Sequence, residues 1–274
     1  MLEPCPSPGL NWRAPSSGAA MGRRREGKRG MVPGGSAVVS PPREAPWRAP
    51  GPPSGAWHLD LGTEAEASLA GVVRLLEADG APERAVETLA RALEGKDVCT
   101  GDHSRALVGM SATVGRELGI EGEDLGRLEL GALLHDVGKI GVPLQVIRKP
   151  GPLTAGERRL MNLHPEIGEA ILERVPSLEP LRPVVRACHE RWDGGGYPDG
   201  LAREAIPLAA RIVFVCDAFH AMTTDRPYRG ALPEHEAVRR LKVAAGTQFD
   251  PGVVETFVRV HAGGGVGVAA GIRG

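Results

Sequence analysis

Apolar residues recur at helical spacing along most of the chain beyond residue 60. Leu69, Val72, Val73 and Leu76 share one face of a run opened by Thr63-Glu64-Ala65-Glu66, in which a hydroxyl and a carboxylate three residues apart can cap each other's backbone N–H groups. Asp79-Gly80 closes that run, and Pro82 opens a second helix through Val86, Leu89 and Leu93. The same periodicity predicts helices over 102–118, 123–135, 154–175, 178–191, 207–224, 233–244 and 251–260, with a further capping box at Thr154 and Glu157. Strictly alternating β-branched runs are absent, and Gly and Pro punctuate the boundaries. The expected fold class is therefore all-α, a helical bundle.

Composition divides this pattern into segments. The chain has 274 residues and is 42% hydrophobic, enough for a packed core. Residues 1–56 are rich in Pro, Gly, Ser and Arg and carry no periodic apolar face, so they read as a disordered tail. Residues 57–94 read as a helical connector, 95–261 as the main domain and 262–274 as a Gly-rich flexible tail. The basic run from Arg23 to Arg29 reads as solvated, and a net charge of −1 gives no pull toward polyanions, so nucleic acid is not an expected partner. No stretch approaches the ~20 apolar residues of a membrane span. The amino terminus lacks a secretory pattern, which makes the cytoplasm the expected location. Cys5, Cys99, Cys188 and Cys216 form no Cys-x-x-Cys pair, excluding a disulfide framework or a Cys-type zinc module.

The candidate chemistry starts at His135-Asp136, an imidazole and a carboxylate side by side at the end of an apolar run. That donor pair suits iron, manganese or zinc, and a carboxylate can bridge two ions. His103, His135, His164, His189 and Asp217 follow one another at intervals of 25 to 32 residues, about one helix and its connection, so successive helices could each deliver a ligand to the bundle core. His58, His235 and His261 fall outside this series and read as solvated or locally bonded, whereas His220 stands three residues after Asp217, on the same helix surface.

Together with His135-Asp136, the string His189-Glu190-Arg191-Trp192-Asp193-Gly194-Gly195-Gly196-Tyr197-Pro198 resembles the HD-GYP family of metal-dependent phosphodiesterases. Lys149-Pro150-Gly151-Pro152-Leu153-Thr154, His164-Pro165, Ile206-Pro207-Leu208, Ala210-Arg211-Ile212, Asp225-Arg226-Pro227-Tyr228-Arg229 and Phe249-Asp250-Pro251 extend the likeness in order over about residues 95 to 260. The resemblance implies the helical bundle of the HD superfamily with its GYP extension. It also implies hydrolysis of cyclic di-GMP to pGpG or GMP through a metal-bridged hydroxide. By this likeness His103, His135, Asp136 and Asp217 would hold one divalent ion, and Asp136 would bridge to a second held by His164 and His189, with iron or manganese the expected metals. Lys139 would place a positive charge by the phosphate, and Arg226 and Arg229 would contact substrate phosphates. Tyr197 would offer its face to a guanine, and the Gly194–Pro198 loop would be a docking point for diguanylate cyclase (GGDEF) proteins.

Three positions depart from the family pattern. Cys188 replaces a His that ordinarily ligates the second metal, leaving either a thiolate or water to fill the place. Cys99 stands where some members carry a Glu ligand, which favours two metals over three, and His220 replaces an Asp expected beside the site. These changes leave open a weakly active or inactive module that binds nucleotide or partner proteins, and the wider superfamily leaves open another nucleotide substrate. The helices over 63–95 offer one surface for a homodimer.

Overall fold

The computed structural model describes residues 82–96, 100–225 and 230–264. The helix expected over 63–79, the tail expected over 1–56, most of the Gly-rich tail, Cys99, Arg226 and Arg229 lie outside the described residues. The chain runs through α1 (Pro82–Lys96), α2 (Thr100–Glu117), α3 (Gly122–Leu134), a 3-10 turn (Val137–Gly141), α4 (Leu144–Ile147), α5 (Ala155–Met161) and α6 (His164–Glu173). A second 3-10 segment (Pro176–Leu181) leads into α7 (Arg182–Ala187), a third (Arg203–Ala205) precedes α8 (Leu208–Thr223), and α9 (Glu234–Ala244) and α10 (Pro251–Ala262) complete the bundle. No strand occurs among the described residues, as the sequence periodicity predicts. No described helix is long and apolar enough to cross a membrane.

Two expected helices are broken, and the breaks matter for the site. The run over 154–175 opens with the predicted Thr154–Glu157 capping box but stops at Met161 and restarts at His164. Pro165 has no N–H to donate, so it fits the first turn of a new helix and not the interior of an old one. The run over 178–191 becomes the 3-10 segment containing Pro180 followed by the short α7, with Pro183 in its first turn. Cys188 and His189 therefore sit just past a helix end, and His135 likewise caps the end of α3.

The core comprises two apolar clusters. One gathers Leu107, Met110 and Val114 of α2 with Leu128 of α3, Val213, Cys216 and Phe219 of α8, Leu241 of α9 and Phe257 of α10. The other gathers Leu89 of α1 with Leu134, Val137, Ile140, Ile147, Met161, Ile167, Ile171 and Val185. Residues 82–94, read from sequence as connector, thus bury Leu89 with the residues that flank His135-Asp136. Gly138 lets the first 3-10 turn press onto the start of α6: a Cβ there would stand 1.7 Å from the His164 carbonyl oxygen.

Candidate metal centre

Helix ends deliver the donors. His135 closes α3, and its Nδ1 lies 2.8 Å from the Ala132 carbonyl; His164 opens α6, and its Nδ1 lies 2.8 Å from the Met161 carbonyl. A ring whose Nδ1–H is given to a backbone carbonyl presents its Nε2 as a lone-pair donor, the tautomer a metal requires. Both Nε2 atoms, and that of His189, are buried without a hydrogen-bond partner. Such atoms are costly unless something else binds them.

Asp136 lies between these rings. Its Oδ2 is 3.2 Å from His135 Nε2 and accepts from Lys139 Nζ at 2.7 Å, while its Oδ1 is 3.3 Å from His164 Nε2 and 3.9 Å from His189 Nε2. On the α2 and α8 side, His103 Nε2 is 3.4 Å from Asp217 Oδ1, and its Nδ1 faces His220 Nδ1 at 2.8 Å. Two sets of donor atoms converge to within 4.8 Å: His103, His135 and Asp136 in one, and His164, Cys188 and His189 in the other.

The electrostatics agree with a site built for cations. Burial alone would raise the Asp136 carboxyl, but the charges of His135 and Lys139 hold it well below the ordinary carboxylate range, so it stays ionised. Burial depresses His103 to about 4 and His164 to about 3, so both are neutral and ligand-ready. His135 goes the other way: burial would lower it, but Asp136 outweighs that and lifts it to about 8, so an ion must displace its proton. Burial, with the Asp136 and Asp217 carboxylates nearby, pushes the Cys188 thiol well up, and its Sγ–H donates to the Val185 carbonyl at 3.1 Å. An imidazole and carboxylate donor set with orphaned Nε2 atoms fits divalent ions.

A family model described as an HD domain matches residues 87–253. The chain belongs to the HD domain family. It is 41% identical over 190 residues to the "Cyclic di-GMP phosphodiesterase response regulator RpfG" of Xanthomonas campestris pv. campestris, covering 66% of this chain and 49% of that protein. It is 34% identical over 166 residues to the "3'3'-cGAMP-specific phosphodiesterase 3" of Vibrio cholerae, covering 61% of this chain and 36% of that protein. A solved structure of Bd1817, an HDG"Y"P protein from Bdellovibrio bacteriovorus, shares the fold with a TM-score of 0.52 at 16% identity, over 76% of this chain and 75% of that one. The chain spans about half the length of the curated relatives it matches.

In this HD domain the structure brings together His103, His135, Asp136, Lys139, His164, Cys188, His189, Tyr197 and Asp217. The Tyr197 ring stacks on His189 with centroids 5.2 Å apart and planes 14° from parallel, and its hydroxyl is buried without a hydrogen-bond partner. Gly196 makes that stacking feasible, because a Cβ there would stand 2.4 Å from the Arg191 nitrogen and 2.7 Å from the His189 carbonyl oxygen. Sequence reasoning missed the clamp behind these residues. Arg186 of α7 donates from Nε and Nη2 to both carboxylate oxygens of Asp199, each at 2.7 Å, and from Nη1 to Glu169 of α6 at 2.6 Å. The Asp199 N–H in turn donates to Glu190 Oε1 at 2.7 Å. One guanidinium therefore ties the HD domain's His164 helix, its Cys188-His189 helix end and its GYP loop together. The only available signal was an Arg in an apolar stretch, Val184-Val185-Arg186-Ala187, where a charge needs a buried partner.

Proposed function

We propose that this chain hydrolyses the phosphodiester of a cyclic dinucleotide, cyclic di-GMP first, at a centre of two divalent ions, with pGpG or GMP as product. The observation that carries the reading is Asp136, whose one oxygen faces His135 and Lys139 while the other faces His164 and His189. His103, His135, Asp136 and Asp217 are the residues for one ion, and Asp136, His164 and His189 for the other, with iron or manganese suited to the nitrogen and oxygen donors. Bound ions would supply Lewis-acid polarisation of the phosphate and acidify water at neutral pH.

The chain's own groups do the remainder. Lys139 donates from Nζ to Asp136 Oδ2 at 2.7 Å and offers a fixed cation to charge developing on the phosphate. Its ammonium is already desolvated, so little reorganisation is needed when the anion arrives. Tyr197 and the Gly194–Pro198 loop roof the His189 side, where a base could lie and where a diguanylate cyclase domain could dock. Arg226 and Arg229 suit the substrate phosphates by their planar donor forks.

The test is chromatographic assay of full-length, anaerobically purified protein with cyclic di-GMP and, separately, 3'3'-cGAMP, beside Asp136→Asn. Wild type should yield a linear product and the variant none. Intact cyclic di-GMP after incubation with protein carrying two ions per chain would overturn the proposal, and preference for 3'3'-cGAMP would reassign the substrate. A second reading, nucleotide binding with little turnover, draws on Cys188 in place of a ligand His. On that reading Cys188→His raises turnover sharply.

A further inference from the structure

We propose that Cys188 is itself a metal ligand. Its sulfur joins His164, His189 and one oxygen of Asp136, so that the second position is a sulfur-bearing site taking zinc or ferrous iron in preference to manganese. This inference rests on the reading of the chain as a metal-dependent hydrolase and deepens it.

Cys188 Sγ and the donor nitrogens of His164 and His189 all lie within 4.8 Å of one another, and Asp136 Oδ1 is 3.3 Å from His164 Nε2 and 3.9 Å from His189 Nε2. Bond lengths of ~2.3 Å to sulfur and ~2.0–2.1 Å to nitrogen place neighbouring tetrahedral donors about 3.5 Å apart, so side-chain adjustments of about 1 Å complete the shell. Four donors of these types suit zinc or iron, either of which can expand its shell to admit water or a phosphate oxygen as a fifth donor.

His164 and His189 Nε2 are buried and unpartnered, pointing into the same space as the sulfur. An ion held by these two nitrogens and Asp136 would have the Cys188 sulfur as its next donor.

Cys188 caps α7 as His135 caps α3, and each side chain reaches back to the carbonyl three residues earlier, Val185 for the thiol and Ala132 for the imidazole. The cysteine thus starts from the same backbone position as His135, and its single donor atom, Sγ, exchanges the Val185 carbonyl for the ion. On capture of an ion the S–H bond breaks, the sulfur's electron pair forms the bond to the ion, and the proton leaves to solvent. Thiolate shifts preference away from manganese, which favours oxygen donors, toward zinc and iron.

Cobalt(II) loading of the full chain under anaerobic conditions tests this through a spectroscopic signature independent of turnover. Wild type should bind two cobalt ions per chain and show a near-ultraviolet thiolate-to-cobalt charge-transfer band. Cys188→Ser should lose the band, and Cys188→His should keep two ions without it. In competition, manganese should enter the second site of Cys188→His more readily than that of wild type. Two cobalt ions in wild type with no band would overturn Cys188 ligation while leaving the metal centre standing, as would equal manganese loading in both proteins. Failure of wild type to bind any cobalt would overturn the metal-dependent reading as well.

Discussion

Gly138 carries the sharpest consequence of the packing. A Cβ at this position would lie 1.7 Å from the His164 carbonyl oxygen, 2.5 Å from the Gly168 nitrogen and 2.7 Å from the His164 carbonyl carbon. All three are backbone atoms and cannot rotate aside. Reaching even the 3.0 Å floor of real Cβ contacts requires the 3-10 turn and α6 to separate by at least 3.0 − 1.7 = 1.3 Å. That opening falls on the line between Asp136, just before the turn, and His164, at the start of α6, where Oδ1 and Nε2 are now 3.3 Å apart. Metal–ligand distances tolerate about 0.2 Å, and a ~1 Å misplacement of reacting groups costs about 100-fold in rate. Over-packing of this kind costs about 1–3 kcal/mol, or about 2–12 °C in Tm for a domain of this size.

Gly138→Ala should therefore lose metal from the second site and at least about 100-fold in turnover while remaining folded. Metal content by mass spectrometry, thermal melting and nucleotide assay read these separately. Gly141→Ala in the same turn meets only the Ile167 side chain, its Cγ2 at 2.8 Å, which can give way, so its effect should be smaller. Gly126→Ala, with nothing within 4 Å on α3, should be neutral or stabilise by up to about 1 kcal/mol. If Gly138→Ala keeps wild-type metal content and turnover, or behaves like Gly141→Ala, the claim that this glycine sets the Asp136 to His164 distance is wrong.

Three further outcomes are expected. Arg186→Ala leaves the buried Glu169 carboxylate with Arg182 Nη2, at 3.1 Å, as its remaining cation and releases Asp199, and should cost about 1–3 kcal/mol by chemical denaturation, with Arg186→Lys recovering only part because an ammonium cannot span Asp199 and Glu169 as a fork does; equal stability of the alanine variant and wild type would refute the clamp. Gly196→Ala should push Tyr197 off His189 and raise KM for the dinucleotide, since the obstructing atoms are the backbone of 189–191; an unchanged KM would separate the stacking from substrate binding. In chelator, stability should peak near pH 6.5. Below that value the unfolded chain takes up protons that His103, at about 4, and His164, at about 3, refuse, so stability falls with acid at up to about 1.4 kcal/mol per pH unit for each group. Above 6.5 the proton His135 holds up to about 8 is one the unfolded chain has already released, so that contribution is lost with alkali, and a monotonic rise in Tm from about pH 5 to about pH 9 would contradict the assignment.

What could be read from the sequence was the chemistry of each donor and its rough interval, because ligand character belongs to the residue type and one helix length separates successive ligands. The all-α class followed for a related reason, since Leu89, Leu128, Val213 and Phe257 sit on periodic faces that only need some partner to bury them. The helix breaks at Pro165 and Pro183 were missed because apolar periodicity runs straight through both, and a proline is compatible with a kink as well as a restart until the neighbouring turn is seen. The supports of the site depend on pairs that no local pattern links. His220 was placed near Asp217 by its helical spacing, yet its partner is His103, 117 residues earlier on α2. That contact gives His220 a role the spacing could not reveal: with the two Nδ1 atoms 2.8 Å apart, one proton between them fixes which nitrogen of His103 is left to face Asp217 and the centre. A histidine can do this because orienting the neighbouring ring needs an acceptor, and a neutral imidazole nitrogen is one.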